Sequence, residues 1–175
     1  MTALDGLIVG GDFAKTVHAF DPRCKVESIF NYVAHQGPIL TLGSNDKDII
    51  SGSEDRSLAV YDIRTQSVRQ KIILGKNCYP NCSYAYEGNL IVGDNKGSIH
   101  IFNLTNQLAD LVCSFDMEHQ KLISVVKSGR GYLMTGSQDG LVKIALPTYP
   151  PHVITCLKSN GGEVGGVSRQ ILINF

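Results

Sequence analysis

Four short segments of this sequence align without gaps: "GGDFAKTVHAFD", "SGSEDRSLAVYD", "VGDNKGSIHIFN" and "TGSQDGLVKIAL". Their second-position glycines, Gly11, Gly52, Gly93 and Gly136, follow one another at steps of 41, 41 and 43 residues. A period of about 40 residues belongs to solenoids of helix pairs or to propeller blades. The segments decide between the two. Apolar residues alternate at Val17 and Ala19, Leu58 and Val60, Ile99 and Ile101, and Val142 and Ile144. Alternation of period two marks a strand, because successive side chains point to opposite faces of a sheet.

The rest of each unit also divides into short strands. The second unit runs "GPILTLGS", "DIISGSED", "SLAVYDIR" and "SVRQKIIL", separated by Gly, Asn, Asp and Arg-Thr turns. Four antiparallel strands make one propeller blade. The predicted fold class is therefore all-β: an incomplete propeller arc of about three complete four-stranded blades and two partial ones. The units fall at about 4–33, 34–75, 76–117 and 118–158, with a partial unit over 159–175. The first unit opens directly at its second strand, "LDGLIVGGDF", and the last stops short of its landmark glycine. Propellers close with about four to eight blades. The expectation is a part of a longer propeller, a truncated isoform, or a chain completed by a partner.

Composition narrows the function classes. With 16 basic and 16 acidic side chains there is no basic footprint for nucleic acid. No apolar run reaches the ~18 residues of a membrane span, and "MTALDGLIVGGD" lacks the flanks of a signal peptide. An intracellular chain, cytoplasmic or nuclear, is expected. The five cysteines are an odd number in mostly apolar runs, as suits reduced thiols. Cys78 and Cys82 in "CYPNC" form one pair where a structural zinc site takes two, so neither metal nor cofactor is expected. The sequons at Asn81 and Asn103 read as chance matches. His18 and His100 recur on the third strand and read as packing residues between blades.

His35, Ser51 and Asp55 lie close together and contain the residue types of a hydrolase triad. The set recurs as His119, Thr135 and Asp139, with 16 residues from His to hydroxyl and four from hydroxyl to Asp in both copies. One catalytic site has no reason to recur blade after blade, so catalysis is not expected.

This layout resembles the WD-repeat family, in which a His precedes the first strand, Ser or Thr with Gly-Ser lies on the second, Asp follows in the turn and Trp-Asp ends the third. The resemblance implies that His35, Ser51, Asp55 and Tyr61, and likewise His119, Thr135 and Asp139, form a structural clasp of hydrogen bonds. Tyr61, Phe20 and Phe102 stand at the Trp position, and Ala145 at the fourth. Units one and three lack the clasp residues, with Ala14 and Lys96 at the Asp position, and are expected to rely on packing alone. The stretches "GDNKGSIHIF", "VCSFDMEH" and "PTYPPHVIT" further resemble the F-box/WD-repeat proteins. That resemblance implies a protein-interaction module, the substrate-binding half of a Skp–cullin–F-box ubiquitin ligase subunit. The alternative is a ligase-independent scaffold or an isoform without the F-box, as these 175 residues contain no stretch that reads as a helical F-box. The family's binding face would present Lys15, Gln36, Glu54, Arg56, Lys96, Lys121 and Gln138 to a protein partner. An acidic or phosphorylated segment suits such a cluster.

Overall fold

The computed structural model describes residues 1–4, 6–24, 28–45, 47–105, 108–159 and 162–165. Among the described residues, sixteen strands form four antiparallel sheets, each a simple meander. The first sheet holds β1 (Thr2–Leu4), β2 (Leu7–Gly11), β3 (Thr16–Phe20) and β4 (Phe30–Val33). The second holds β5 (Ile39–Ser44), β6 (Asp48–Ser53), β7 (Ser57–Asp62) and β8 (Ser67–Ile73). The third holds β9 (Pro80–Tyr86), β10 (Asn89–Asp94), β11 (Ser98–Asn103) and β12 (Asp110–Asp116). The fourth holds β13 (Ile123–Gly129), β14 (Tyr132–Ser137), β15 (Leu141–Leu146) and β16 (His152–Lys158). The first unit, expected to begin at its second strand, instead carries the three-residue β1 ahead of it, paired Thr2 to Val9. Three residues bounded by a turn at Gly6 give too little periodicity to be read as a strand. Most of the partial unit at 159–175 lies outside the described residues.

Consecutive sheets pack face on face, which explains why the middle strands are apolar on both sides. On β6, Ile49 joins Val9, Val17 and Ala19 of the first sheet. Its neighbour Ile50 points the other way, into a cluster with Leu90, Val92 and Phe102 of the third sheet. On β10, Leu90 and Ile91 divide between the second and fourth sheets in the same way. Burying each such side chain stabilises the fold by about 1.5–3 kcal/mol. The first strands of neighbouring sheets lie against one another along the inner edge of the arc. There Thr41 and Ser83 hydroxyls hydrogen-bond at 2.8 Å. The fourth strands β8, β12 and β16 are largely exposed and form the outer rim. Among the described residues no helix is long and apolar enough to cross a membrane.

The landmark glycines are where one sheet meets the next. A Cβ on Gly52 would stand 2.8 Å from Pro80 Cγ, and one on Gly93 would stand 2.7 Å from Ile123 Cγ2. Gly11 seats Ile39 and Gly136 seats Val164 in the same way. Each unit thus leaves a notch on its second strand, filled in the first three by the leading residue of the following first strand. Val164, from the described part of the partial unit, fills the last notch and closes a cluster with Met134, Val142 and Ile144.

Filling a notch should push two sheets apart. Gly93→Ala is expected to destabilise the chain by about 1–3 kcal/mol through overpacking. Gly10→Ala, whose Cβ would meet nothing within 4 Å, should leave stability unchanged within about 0.5 kcal/mol. Denaturant melts of the two variants read the difference.

Candidate functional site

The turns between second and third strands and the loops leading into first strands meet at one end of the sheets. In the second unit His35, 1% exposed, joins them. Its Nε2 lies 2.8 Å from Ser51 Oγ on β6, and its Nδ1 lies 2.9 Å from Ser57 Oγ on β7 and 3.3 Å from Asp55 Oδ1. Asp55 Oδ2 accepts the Gln36 N–H at 2.7 Å and the Lys71 ammonium at 3.2 Å. The fourth unit repeats the pattern. His119 Nε2 lies 2.9 Å from Thr135 Oγ1 and Nδ1 3.0 Å from Asp139 Oδ2, which also accepts the Gln120 N–H at 2.9 Å. The sequence-predicted His, hydroxyl and Asp sets are therefore brought together in both units. Ser51, Ser57 and Thr135 are each 0% exposed, so none of these hydroxyls can reach a substrate. Tyr61 stacks on Tyr32 of the first sheet, ring centroids 3.8 Å apart. Ala145 at the corresponding place in the fourth unit is fully buried, with Tyr84, Cys113 and Phe115 packed against its cluster.

Burial of His35 outweighs the charge of Asp55 and lowers the ring's pKa below its ordinary 6.5, and His119 is lowered for the same reason. Burial acts to raise Asp55, but hydrogen bonds from Ser57, the Gln36 N–H and Lys71 prevail and hold the carboxyl below 3.8. Asp139 is likewise lowered, its burial overcome by the Gln120 and Leu141 N–H groups and His119.

Units one and three do not rely on packing alone. Each carries a different polar pair, missed in the sequence. Asp12 Oδ2 lies 3.0 Å from His18 Nε2, and Asp94 Oδ2 lies 3.1 Å from His100 Nε2. His18 and His100, expected to pack between blades, are thus polar partners of an aspartate six residues upstream. The six-residue Asp-to-His spacing was the available signal. In units two and four serines Ser53 and Ser137 replace that Asp, while Ala59 and Lys143 replace that His. The imidazole comes from the loop in one kind of unit and from the third strand in the other. In the third unit the Cys78 thiol donates to Asp94 Oδ2 at 3.1 Å and lies 3.7 Å from His100 Nε2. Burial, with Asp94 beside it, pushes that thiol up to about 12. Cys82 turns away and donates to Ile123 O at 3.3 Å, so the "CYPNC" pair does not converge. All five cysteines are free.

Of the predicted partner face, Lys15, Gln36, Glu54, Arg56, Lys96 and Lys121 are exposed and Gln138 is half-buried. Lys15 and Arg56 hold the same turn position at φ 73° and 72°, where the third and fourth units have Gly97 and Gly140.

Residues 26–62 match the family model described as WD domain, G-beta repeat. The chain is 35% identical over 164 residues to F-box/WD repeat-containing protein 9 of Bos taurus, covering 94% of this chain and 35% of that protein. It is 35% identical over 162 residues to the Homo sapiens protein of the same name, covering 93% of this chain and 35% of that one. The chain thus spans about a third of the length of these relatives. Its fold is similar to the crystal structure of the computationally designed Ika8 protein, with a TM-score of 0.77 at 18% identity, over 93% of this chain and 49% of that one. The resemblance to the WD-repeat family holds in sequence, and the all-β propeller-like fold holds in structure.

Acid should destabilise the chain in two stages. The folded state resists protonating His35 and His119, whereas the unfolded chain takes up protons near 6.5. Stability is therefore present above that value and falls as pH drops below it. A second loss follows below 3.8, where unfolded carboxyls protonate before Asp55 and Asp139. Denaturant melts from about pH 7 to about pH 3 measure both, and His35→Gln with His119→Gln should flatten the first stage. Asp55→Ala should lower stability by about 1–3 kcal/mol by leaving buried donors unpaired, and Lys96→Ala by much less.

Proposed function

We propose that this chain is a protein-interaction module of the WD-repeat type, acting inside the cell as the substrate-binding part of an F-box/WD-repeat subunit of a Skp–cullin–F-box ubiquitin ligase. The ligand is an acidic or phosphorylated segment of a partner protein. The similarity to F-box/WD repeat-containing protein 9 supports the class of role. The observation that carries the binding face is the pair Lys15 and Arg56. Both are exposed at positive φ, a conformation that disfavours any side chain but suits glycine. Long basic side chains kept at such positions, on turns anchored by Asp12 and Asp55, are aimed away from the fold. Lys96 and Lys121 extend the basic character along the same end, with Gln36 and Gln138 as hydrogen-bonding neighbours, while Glu54 and the exposed Glu118 are acids there. In this reading the His, hydroxyl and Asp networks act as clasps that hold these turns in place.

Arg56→Gly separates the two roles. Relief of the left-handed backbone should leave stability equal or raise it by about 1 kcal/mol. Binding of an immobilised phosphoserine peptide rich in Glu, or the amount of partner captured together with a Skp-type adaptor by the longer protein, should fall at least about tenfold when Arg56→Gly is combined with Lys15→Gly. Unchanged peptide binding would move the face elsewhere. Capture of the same partner without the adaptor would favour a ligase-independent scaffold.

A further inference from the structure

The geometry points to a zinc(II) site in the third unit, formed by Cys78 Sγ, Asp94 Oδ2 and His100 Nε2, with solvent as the fourth ligand. The three residues come from the loop before β9, the end of β10 and the middle of β11, and each is buried. Their ligand atoms are 3.1, 3.1 and 3.7 Å apart. Tetrahedral zinc with bonds of about 2.0–2.3 Å holds its N, O and S ligands at about 3.3–3.5 Å from one another, so small shifts admit the ion. Two of the three ligands, His100 and Asp94, are also held from behind, as metal ligands are. His100 Nδ1 lies 2.8 Å from Ser114 Oγ, which leaves Nε2 facing the cluster. Asp94 Oδ1 accepts the Lys96 and Ser98 N–H groups at 2.9 and 2.8 Å, which turns Oδ2 inward.

On binding, the Cys78 S–H bond breaks, the Zn–S bond forms and the proton passes to water. The thiolate and carboxylate then match the charge of the ion, and imidazole is a neutral third ligand suited to zinc. The other units do not offer this set. Units two and four place hydroxyls around their histidines. Among the described residues, unit one offers only Asp12 and His18.

Cobalt(II) titration of the chelator-treated chain, followed by zinc competition, tests the assignment. One equivalent should bind with a thiolate-to-cobalt charge-transfer band and the visible bands of four-coordinate cobalt, and zinc should displace it. Cys78→Ser should abolish the charge-transfer band, while Cys82→Ser and Cys113→Ser leave it. Ser114→Ala, which removes no ligand, should weaken affinity about 10–100-fold. Absence of binding, or a thiolate band that survives Cys78→Ser, overturns the site. If Cys78→Ser does not fold, unchanged affinity in Ser114→Ala overturns it instead.

Discussion

One close approach organises the molecule: a residue that follows each sheet, the leading residue of the next first strand in three of the four cases, sits in the notch left by a glycine on that sheet. Ile39, Pro80, Ile123 and Val164 occupy these notches on Gly11, Gly52, Gly93 and Gly136. No sheet here buries its apolar residues by itself. Ile49 and Ile50 are adjacent on one strand, yet each needs a different neighbouring sheet to cover it. The period of the sequence is the period of that contact, and the alternation within each strand is its division between two neighbours.

The polar ends are less uniform than the apolar faces. All four units bring an imidazole to an aspartate near the second-to-third strand turn, by two chemistries. His35 and His119 reach in from the loop and take a hydroxyl from the second strand. His18 and His100 stand on the third strand and pair with an aspartate where the other units have serine. The two kinds alternate along the chain. Buried polar groups hold a turn only when their partners are present, so a swap at one position requires a compensating swap at another. The third unit adds a thiol to its pair, which gives that turn a chemistry the others lack.

Much of this was legible in the sequence because it repeats. Gly52, the strands around it and the set His35, Ser51 and Asp55 have spacings that recur around Gly136. What repeats by exchange was hidden. Lys96 stands where the second unit has Asp55, while Asp94, two residues earlier, accepts the turn's N–H groups from another position. Cys78 and Cys82 are a pair only in sequence, whereas the contacts of Cys78 are 16 and 22 residues away. The strand Thr2–Leu4 is too short to show a period. The Trp-position residues also diverged. Tyr61 fills its place by stacking on a tyrosine from the first sheet, a partner that spacing within the unit does not reveal.

If neighbouring sheets hold one another, local stability should follow how many neighbours a sheet has. Strand β6 is buried along its whole length between two sheets, whereas β2 has covered and exposed positions mixed, Ile8 being 37% exposed. Native-state amide hydrogen exchange resolved by strand measures this directly. The account predicts the slowest exchange in β6 and β10 and markedly faster exchange in β2, with Gly93→Ala speeding exchange in both the third and fourth sheets. Equal protection in β2, β6 and β10, or an effect of Gly93→Ala confined to β10, would contradict it.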